Sequence, residues 1–261
     1  MSVLKGTLLI AGGAVLVAGC AGGSTTAGAA GRTRAPAASP STAGPTATPT
    51  PTPQRRTLKP GAKGDDVKRL QRRLKDLKYD PGRVDGKYGL STQMAVWAFQ
   101  KVNRIKVSSK VGAKTWAALD APEQPKPMAK KREDDRVDVD LRRQYLVVYK
   151  DGKPDLITHI SSGSGELYCA KDRGATVARC RYATTSTGDF RTGRRASGWE
   201  TSPLGRLYNP IYFNGGIAFH GALDVPRYPA SHGCVRLPMH IAEYFPERVG
   251  TNVPVHVRRP R

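Results

Sequence analysis

A histidine and a cysteine in the second half of the chain are the residues whose types and spacing suggest chemistry. Phe219-His220-Gly221 closes one apolar run, and Ser231-His232-Gly233-Cys234-Val235-Arg236 follows a loop containing Pro226, Pro229 and Ala230. An imidazole brought beside a thiol takes its proton, and the ion pair lowers a cysteine pKa from about 8.5. Fourteen residues separate His220 from Cys234, a distance along the chain that permits this pairing without requiring it. Gly233 before the sulfur allows positive φ and close substrate approach, and backbone N–H groups there would face a developing oxyanion. Taken singly, a structural histidine or a disulfide cysteine is the commoner occurrence, so the weight lies on the combination.

The segments that must position these residues read as mainly β. Val137, Val139 and Leu141 alternate with Asp138 and Asp140, which is the period of a strand. Residues 145–149 form a second apolar run, Asp151-Gly152 suits a hairpin turn, and 156–161 supplies the returning strand. Further β-type runs lie at 216–219 and 253–257, with one helical stretch after Pro238.

Together, His220-Gly221 and the run Ser231-His232-Gly233-Cys234-Val235-Arg236 are similar to the signature of L,D-transpeptidases. The entry strands over 137–149 and Gly215-Gly216 before the histidine resemble that family too. The resemblance implies that residues 136–258 form a mainly β L,D-transpeptidase catalytic domain that uses no cofactor and no metal. It implies Cys234 as nucleophile and His220 as general base, with a carbonyl near Gly221 orienting the imidazole. Ser231, His232, Gly233 and the Cys234 amide would shape the oxyanion site, and Arg236 would support the loop or meet a substrate carboxylate. Tyr212 would line the donor side. In Thr185-Ser186-Thr187-Gly188-Asp189-Phe190 the family favours proline at position 186, so Ser186 implies a looser turn.

The reaction implied is acyl transfer between wall peptides. The Cys234 thiolate attacks the carbonyl of the third stem residue, a terminal D-alanine leaves, and an amine of a neighbouring stem resolves the thioester into a 3→3 cross-link. A carbapenem would acylate the same sulfur. Three rival readings stand beside this one. The first is an L,D-carboxypeptidase using the same pair, and the second a zinc peptidase with ligands among His220, Asp224, His232, Cys234 and His240, which match no known ligand spacing. The third is a non-catalytic wall-binding lipoprotein.

Ahead of this domain, residues 56–121 read as three short helices. Asp65 and Asp66 put negative charge in a first turn, and Val67, Leu70, Leu74 and Leu77 share one face. A second helix carries Ala95, Ala98, Phe99 and Val102 on one side, and a third over 113–119 brings Trp116. The run Val67-Lys-Arg-Leu70-Gln71-Arg-Arg-Leu74, then Asp85-Gly86-x-Tyr88-Gly89, then Thr92-x-x-Ala95-Val96-x-Ala98-Phe99-Gln100 resembles the peptidoglycan-binding-like three-helix domain. That resemblance implies affinity for wall glycopeptide, a spacer that binds nothing being the alternative. A charged connector over 122–135 joins the two.

The chain begins with one lysine and an interrupted apolar stretch ending at Val17-Ala18-Gly19-Cys20, which resembles a lipoprotein signal peptide over 1–19 and its lipobox. Cys20 would be lipidated and anchored to the outer face of the cell membrane. Residues 20–55, with Thr and Pro alternating from Thr48 to Pro53, bury too little surface to offset chain entropy and read as a disordered tether reaching into the wall. The charge, 43 Lys and Arg against 21 Asp and Glu for a net +22, would suit nucleic acid inside a cell. Export redirects it to phospholipid head groups, wall polymers and stem carboxylates. In that oxidising compartment Cys169 and Cys180 read as a local disulfide that leaves Cys234 free, the competing pairing being one that ties up Cys234. No apolar run past the leader is long enough to span a bilayer.

Overall fold

A computed structural model describes residues 55–129, 133–172 and 174–260. Cys20, the leader before it and the tract through Gln54 lie outside the described residues. Three helices come first: α1 (Asp65–Asp76), α2 (Leu90–Val102) and α3 (Ala113–Asp120). Helix α1 buries Val67, Leu70 and Leu74 as their spacing requires, with both aspartates in its first turn. Helix α2 departs from the one-sided pattern, because every residue from Met94 to Val102 is buried. One side, with Ala95, Ala98 and Phe99, packs on α1 and α3, while Met94 and Trp97 pack on Val225 of the β region.

Among the described residues, eleven strands and two short helices follow: β1 (Arg136–Asp140), β2 (Tyr145–Lys150), β3 (Lys153–His159), β4 (Leu167–Ala170), β5 (Arg179–Tyr182), β6 (Gly188–Arg191), β7 (Trp199–Ser202), β8 (Gly205–Asn214), β9 (Ile217–Ala222), β10 (Val235–Pro238), α4 (Met239–Ala242), α5 (Phe245–Val249) and β11 (Pro254–Arg258). One sheet has the order β3-β2-β1-β11-β6, with β1 and β11 parallel. The other has the order β10-β9-β8-β7, with β9 and β10 parallel. Strands β4 and β5 form a separate hairpin. The helical stretch expected after Pro238 is divided in two, and Pro246 opens the second piece, where a missing N–H costs nothing.

The core lies between the sheets. Val137, Val139, Leu146, Val148, Val255 and Val257 of the first meet Ile211, Phe219, Val235 and Leu237 of the second. Each such fully buried side chain contributes roughly 1.5–3 kcal/mol relative to an exposed one. The opposite face of the first sheet is covered as well, since Tyr145, Val147, Tyr149 and Ile157 join the helical cluster. Asp138 and Asp140, which share that face, are therefore 0% and 1% exposed. Asp138 accepts the Met128 N–H at 3.0 Å through one oxygen, while its other oxygen faces Arg136 Nε at 3.3 Å as an ion pair without a hydrogen bond; Asp140 accepts the Arg142 and Arg143 N–H groups. The β2–β3 turn has Asp151 and Gly152 at φ 49° and 72°, the left-handed pair that an Asp-Gly hairpin turn needs.

Candidate active site

Strands β9 and β10 bring the histidine and the cysteine together. Their parallel register pairs Val235 with Phe219 and Arg236 with His220. Phe219 and Val235 point into the core, so by strand alternation His220, Cys234 and Arg236 point the other way. Continuing the register one step sets Cys234 opposite Ala218. The sulfur and imidazole thus leave the same face of the sheet as diagonal neighbours, about 8 Å apart at the backbone from strand spacing and rise.

The imidazole is held in one tautomer. His220 Nδ1 lies 2.9 Å from the Gly221 carbonyl, which only accepts, so Nδ1–H donates and Nε2 is the basic nitrogen. The resemblance implied a carbonyl near Gly221 in an orienting role, and the Gly221 carbonyl itself is the one within reach of the ring. Gly221 has a steric reason to be glycine, because a Cβ there would come within 2.7 Å of Ala242 Cβ and 3.1 Å of Met239 Sδ on α4.

The loop before Cys234 is clamped by hydroxyls. Ser231 Oγ accepts the Gly233 N–H at 3.0 Å and donates to the Cys234 carbonyl. Gly233 adopts φ 137°, and a Cβ on it would meet Ile217 Cδ1 at 2.8 Å. Its amide is thus committed to Ser231 within the loop. Cys234 Sγ is a free thiol 3.7 Å from the Gly216 carbonyl. The disulfide joins Cys169 to Cys180 across the β4–β5 hairpin.

Burial governs the charge state of the pair, and here the structure corrects the expected ion pair. Desolvation lowers the His220 pKa to about 4, with Arg236 adding to that against the opposing Gly221 hydrogen bond. Desolvation raises the Cys234 thiol, outweighing the Ala218 backbone hydrogen bond and the Arg236 charge that favour thiolate. At neutral pH the resting pair is thiol and neutral imidazole.

Both residues line an open cleft of about 870 Å³ together with Ser231, His232, Arg236 and Tyr212. His232 packs edge-on against Tyr168 of the disulfide hairpin, ring centroids 4.8 Å apart. Tyr212 donates to Glu200 at 2.9 Å, and Arg194 both pairs with that carboxylate and lies 3.9 Å over the tyrosine ring. Asp224 lines the cleft, whereas His240 turns toward the helical unit, 3.2 Å from the Asp80 carbonyl. Among the described residues no three His, Cys, Asp or Glu side chains converge as a metal-binding group.

Against this geometry the comparisons with known proteins are direct. Residues 63–119 match a family described as "Putative peptidoglycan binding domain", and residues 134–257 match the L,D-transpeptidase catalytic domain. The crystal structure of the L,D-transpeptidase from Xylanimonas cellulosilytica is 38% identical with a TM-score of 0.70, over 80% of this chain and 100% of that one.

The chain belongs to the L,D-transpeptidase family.

A second L,D-transpeptidase structure, from Stackebrandtia nassauensis, is 24% identical with a TM-score of 0.45, over 80% of this chain and 98% of that one. The carboxy-terminal processing protease CtpB of Bacillus subtilis is 33% identical over 85 residues, which are 33% of this chain and 17% of that relative. This chain therefore spans only 17% of the length of that curated relative.

Sequence reasoning passed over several residues that shape this transpeptidase-family cleft. Tyr168, Arg194 and Glu200 lie in segments without a strong pattern. Thr185, whose hydroxyl donates to the Gly233 carbonyl at 2.6 Å, stood one position before the departure at Ser186 and was legible only as part of that turn.

Proposed function

We propose that this protein is an L,D-transpeptidase that forms 3→3 cross-links between peptidoglycan stem peptides through a thioester on Cys234. The observation that carries the reading is the presentation of Cys234 and His220 on one cleft-facing side of adjacent parallel strands. From a neutral pair, His220 Nε2 removes the thiol proton as sulfur attacks the carbonyl of the third stem residue. The imidazolium then protonates the departing D-alanine amine, leaving the thioester and a neutral imidazole. An acceptor amine attacks next, His220 takes its proton, and the thiol is regenerated as the new peptide bond forms. No ATP is consumed, because the amide broken in the donor is replaced by the one made.

Arg236, beside His220 in register, supplies fixed positive charge to the cleft and suits a substrate carboxylate. The helical unit would hold wall glycopeptide, and lipidation at Cys20 with the Thr-Pro tether would place the enzyme outside the cell membrane within reach of the wall. The test uses the chain from Cys20 onward, incubated with a tetrapeptide-stem fragment and read by mass spectrometry. Cross-linked dimer supports the reading. Tripeptide alone makes the protein an L,D-carboxypeptidase, and unchanged substrate overturns enzymatic action on this stem. A carbapenem is expected to add its mass to Cys234 and to leave Cys234→Ala unmodified.

A further inference from the structure

The Gly233–Cys234 peptide is held by groups that lie outside the motif containing it. Thr185 is 4% exposed and sits behind the cleft. Its Oγ1 accepts the Gly163 N–H at 2.9 Å, so its own proton goes to the Gly233 carbonyl at 2.6 Å. The three backbone segments approach closely around this hydroxyl. A Cβ on Gly163 would lie 2.2 Å from the Ala183 carbonyl oxygen and 2.8 Å from the Thr185 nitrogen, and one on Gly233 would lie 3.2 Å from the Thr184 carbonyl oxygen. Ser231 Oγ meanwhile takes the Gly233 N–H and donates to the Cys234 carbonyl. Three of the four backbone polar groups of these two residues are thereby fixed, and the fourth is the Cys234 amide.

A trans peptide is planar, so its carbonyl and the following N–H point in opposite directions. Drawing the Gly233 carbonyl back onto buried Thr185 therefore turns the Cys234 N–H outward, on the side where the sulfur lines the cleft. We infer that Thr185 is a positioning residue for acyl transfer: its hydroxyl pins the Gly233 carbonyl so that the Cys234 amide is aimed at the oxyanion formed when sulfur adds to a carbonyl. This rests on the thioester reading above. It gives Thr185 a role separate from the nucleophile and the base, which line the cleft that Thr185 does not line.

The inference separates two reactions of the same sulfur. Acylation passes through a tetrahedral oxyanion, whereas alkylation by iodoacetamide is a displacement at carbon that develops no such charge. Removing one oxyanion-hole donor costs about 10²–10³ in rate, and loosening its aim is expected to cost at least about tenfold. The experiment measures the Cys234 acylation rate with a carbapenem and the alkylation rate with iodoacetamide, in the chain from Cys20 onward, for wild type, Thr185→Val and Thr185→Ser. Thr185→Val is expected to lose acylation by that factor while alkylation stays within about twofold, and Thr185→Ser, which keeps the hydroxyl, is expected to restore acylation. Equal acylation by wild type and Thr185→Val overturns the inference. So does a parallel fall in both reactions that Thr185→Ser does not repair, which marks Thr185 as structural. Wild type that alkylates but never acylates overturns the thioester reading itself.

Discussion

Two histidines in this molecule are buried, neutral and hydrogen-bonded to a carbonyl, yet their surroundings give them opposite prospects. His220 lines the cleft, with Nδ1–H on the Gly221 carbonyl and a pKa lowered by desolvation to about 4. His159 ends β3 against α2, with Nε2 at 3.0 Å from the Val225 carbonyl and a pKa lowered by desolvation to about 3. The difference is at the second nitrogen. In His159 it accepts from Lys101 Nζ at 2.6 Å, and that amine, held well below its usual range by burial, also donates to the Gln144 carbonyl. A lowered histidine pKa therefore records burial, and only the remaining nitrogen tells whether a proton can be exchanged with a substrate.

The largest effect expected from this contrast is on turnover. His220→Gln should lower Cys234 acylation by about 10²–10⁴ with little change in the thermal midpoint, whereas His159→Ala should leave acylation per folded molecule within a few-fold. If the His159 variant matched the His220 variant in lost acylation while remaining as stable as wild type, the contrast would be wrong.

The next effect is on stability. His159→Ala opens a cavity and strands the Val225 carbonyl and the Lys101 amine, at about 2–4 kcal/mol in urea unfolding. For both histidines the folded pKa lies below the usual value near 6.5, so protonation favours the unfolded chain. Their contribution is complete above pH 6.5 and drains as pH falls toward about 4 for His220 and about 3 for His159. Wild type should lose stability across that window, and His159→Ala should lose it less steeply.

The smallest effect is a slope. Lys101 is lowered well below the usual lysine value, largely by desolvation and also by Arg227, so the unfolded chain binds a proton that the fold disfavours. Wild-type stability relative to Lys101→Met should therefore rise between pH 8 and pH 10, and a flat difference would show that Lys101 keeps its charge in the fold.

The parts of this molecule that were legible in the sequence are those set by local order. The Val67, Leu70 and Leu74 face, the Asp151-Gly152 turn and the two strand ends carrying His220 and Cys234 all follow from neighbours in the chain. What stayed hidden depends on what packs from elsewhere. Helix α2 carries apolar residues around its whole circumference because it is shared between the helical cluster and the β region, which its own spacing does not announce. Asp138 and Asp140 alternate like residues on a wet strand face and are buried because helices and connector cover it. The charge state of Cys234 and His220 is a matter of desolvation, a tertiary quantity, so the motif located the pair but misjudged its resting protonation. Thr185 meets Gly233 across forty-eight residues of chain, and no local pattern couples them.

Strand β11 lies between β1 and β6, in the interior of its sheet, although it is the last described strand in the chain. A polypeptide emerging in order therefore displays its sulfur before it owns the piece that completes the sandwich behind it. The sheet that carries the thiol is backed by a layer whose interior strand, residues 254–258, comes after that thiol in the chain. Removing residues 254–258 would therefore open the first sheet between β1 and β6 without touching β9, which carries His220, or β10, which Cys234 precedes.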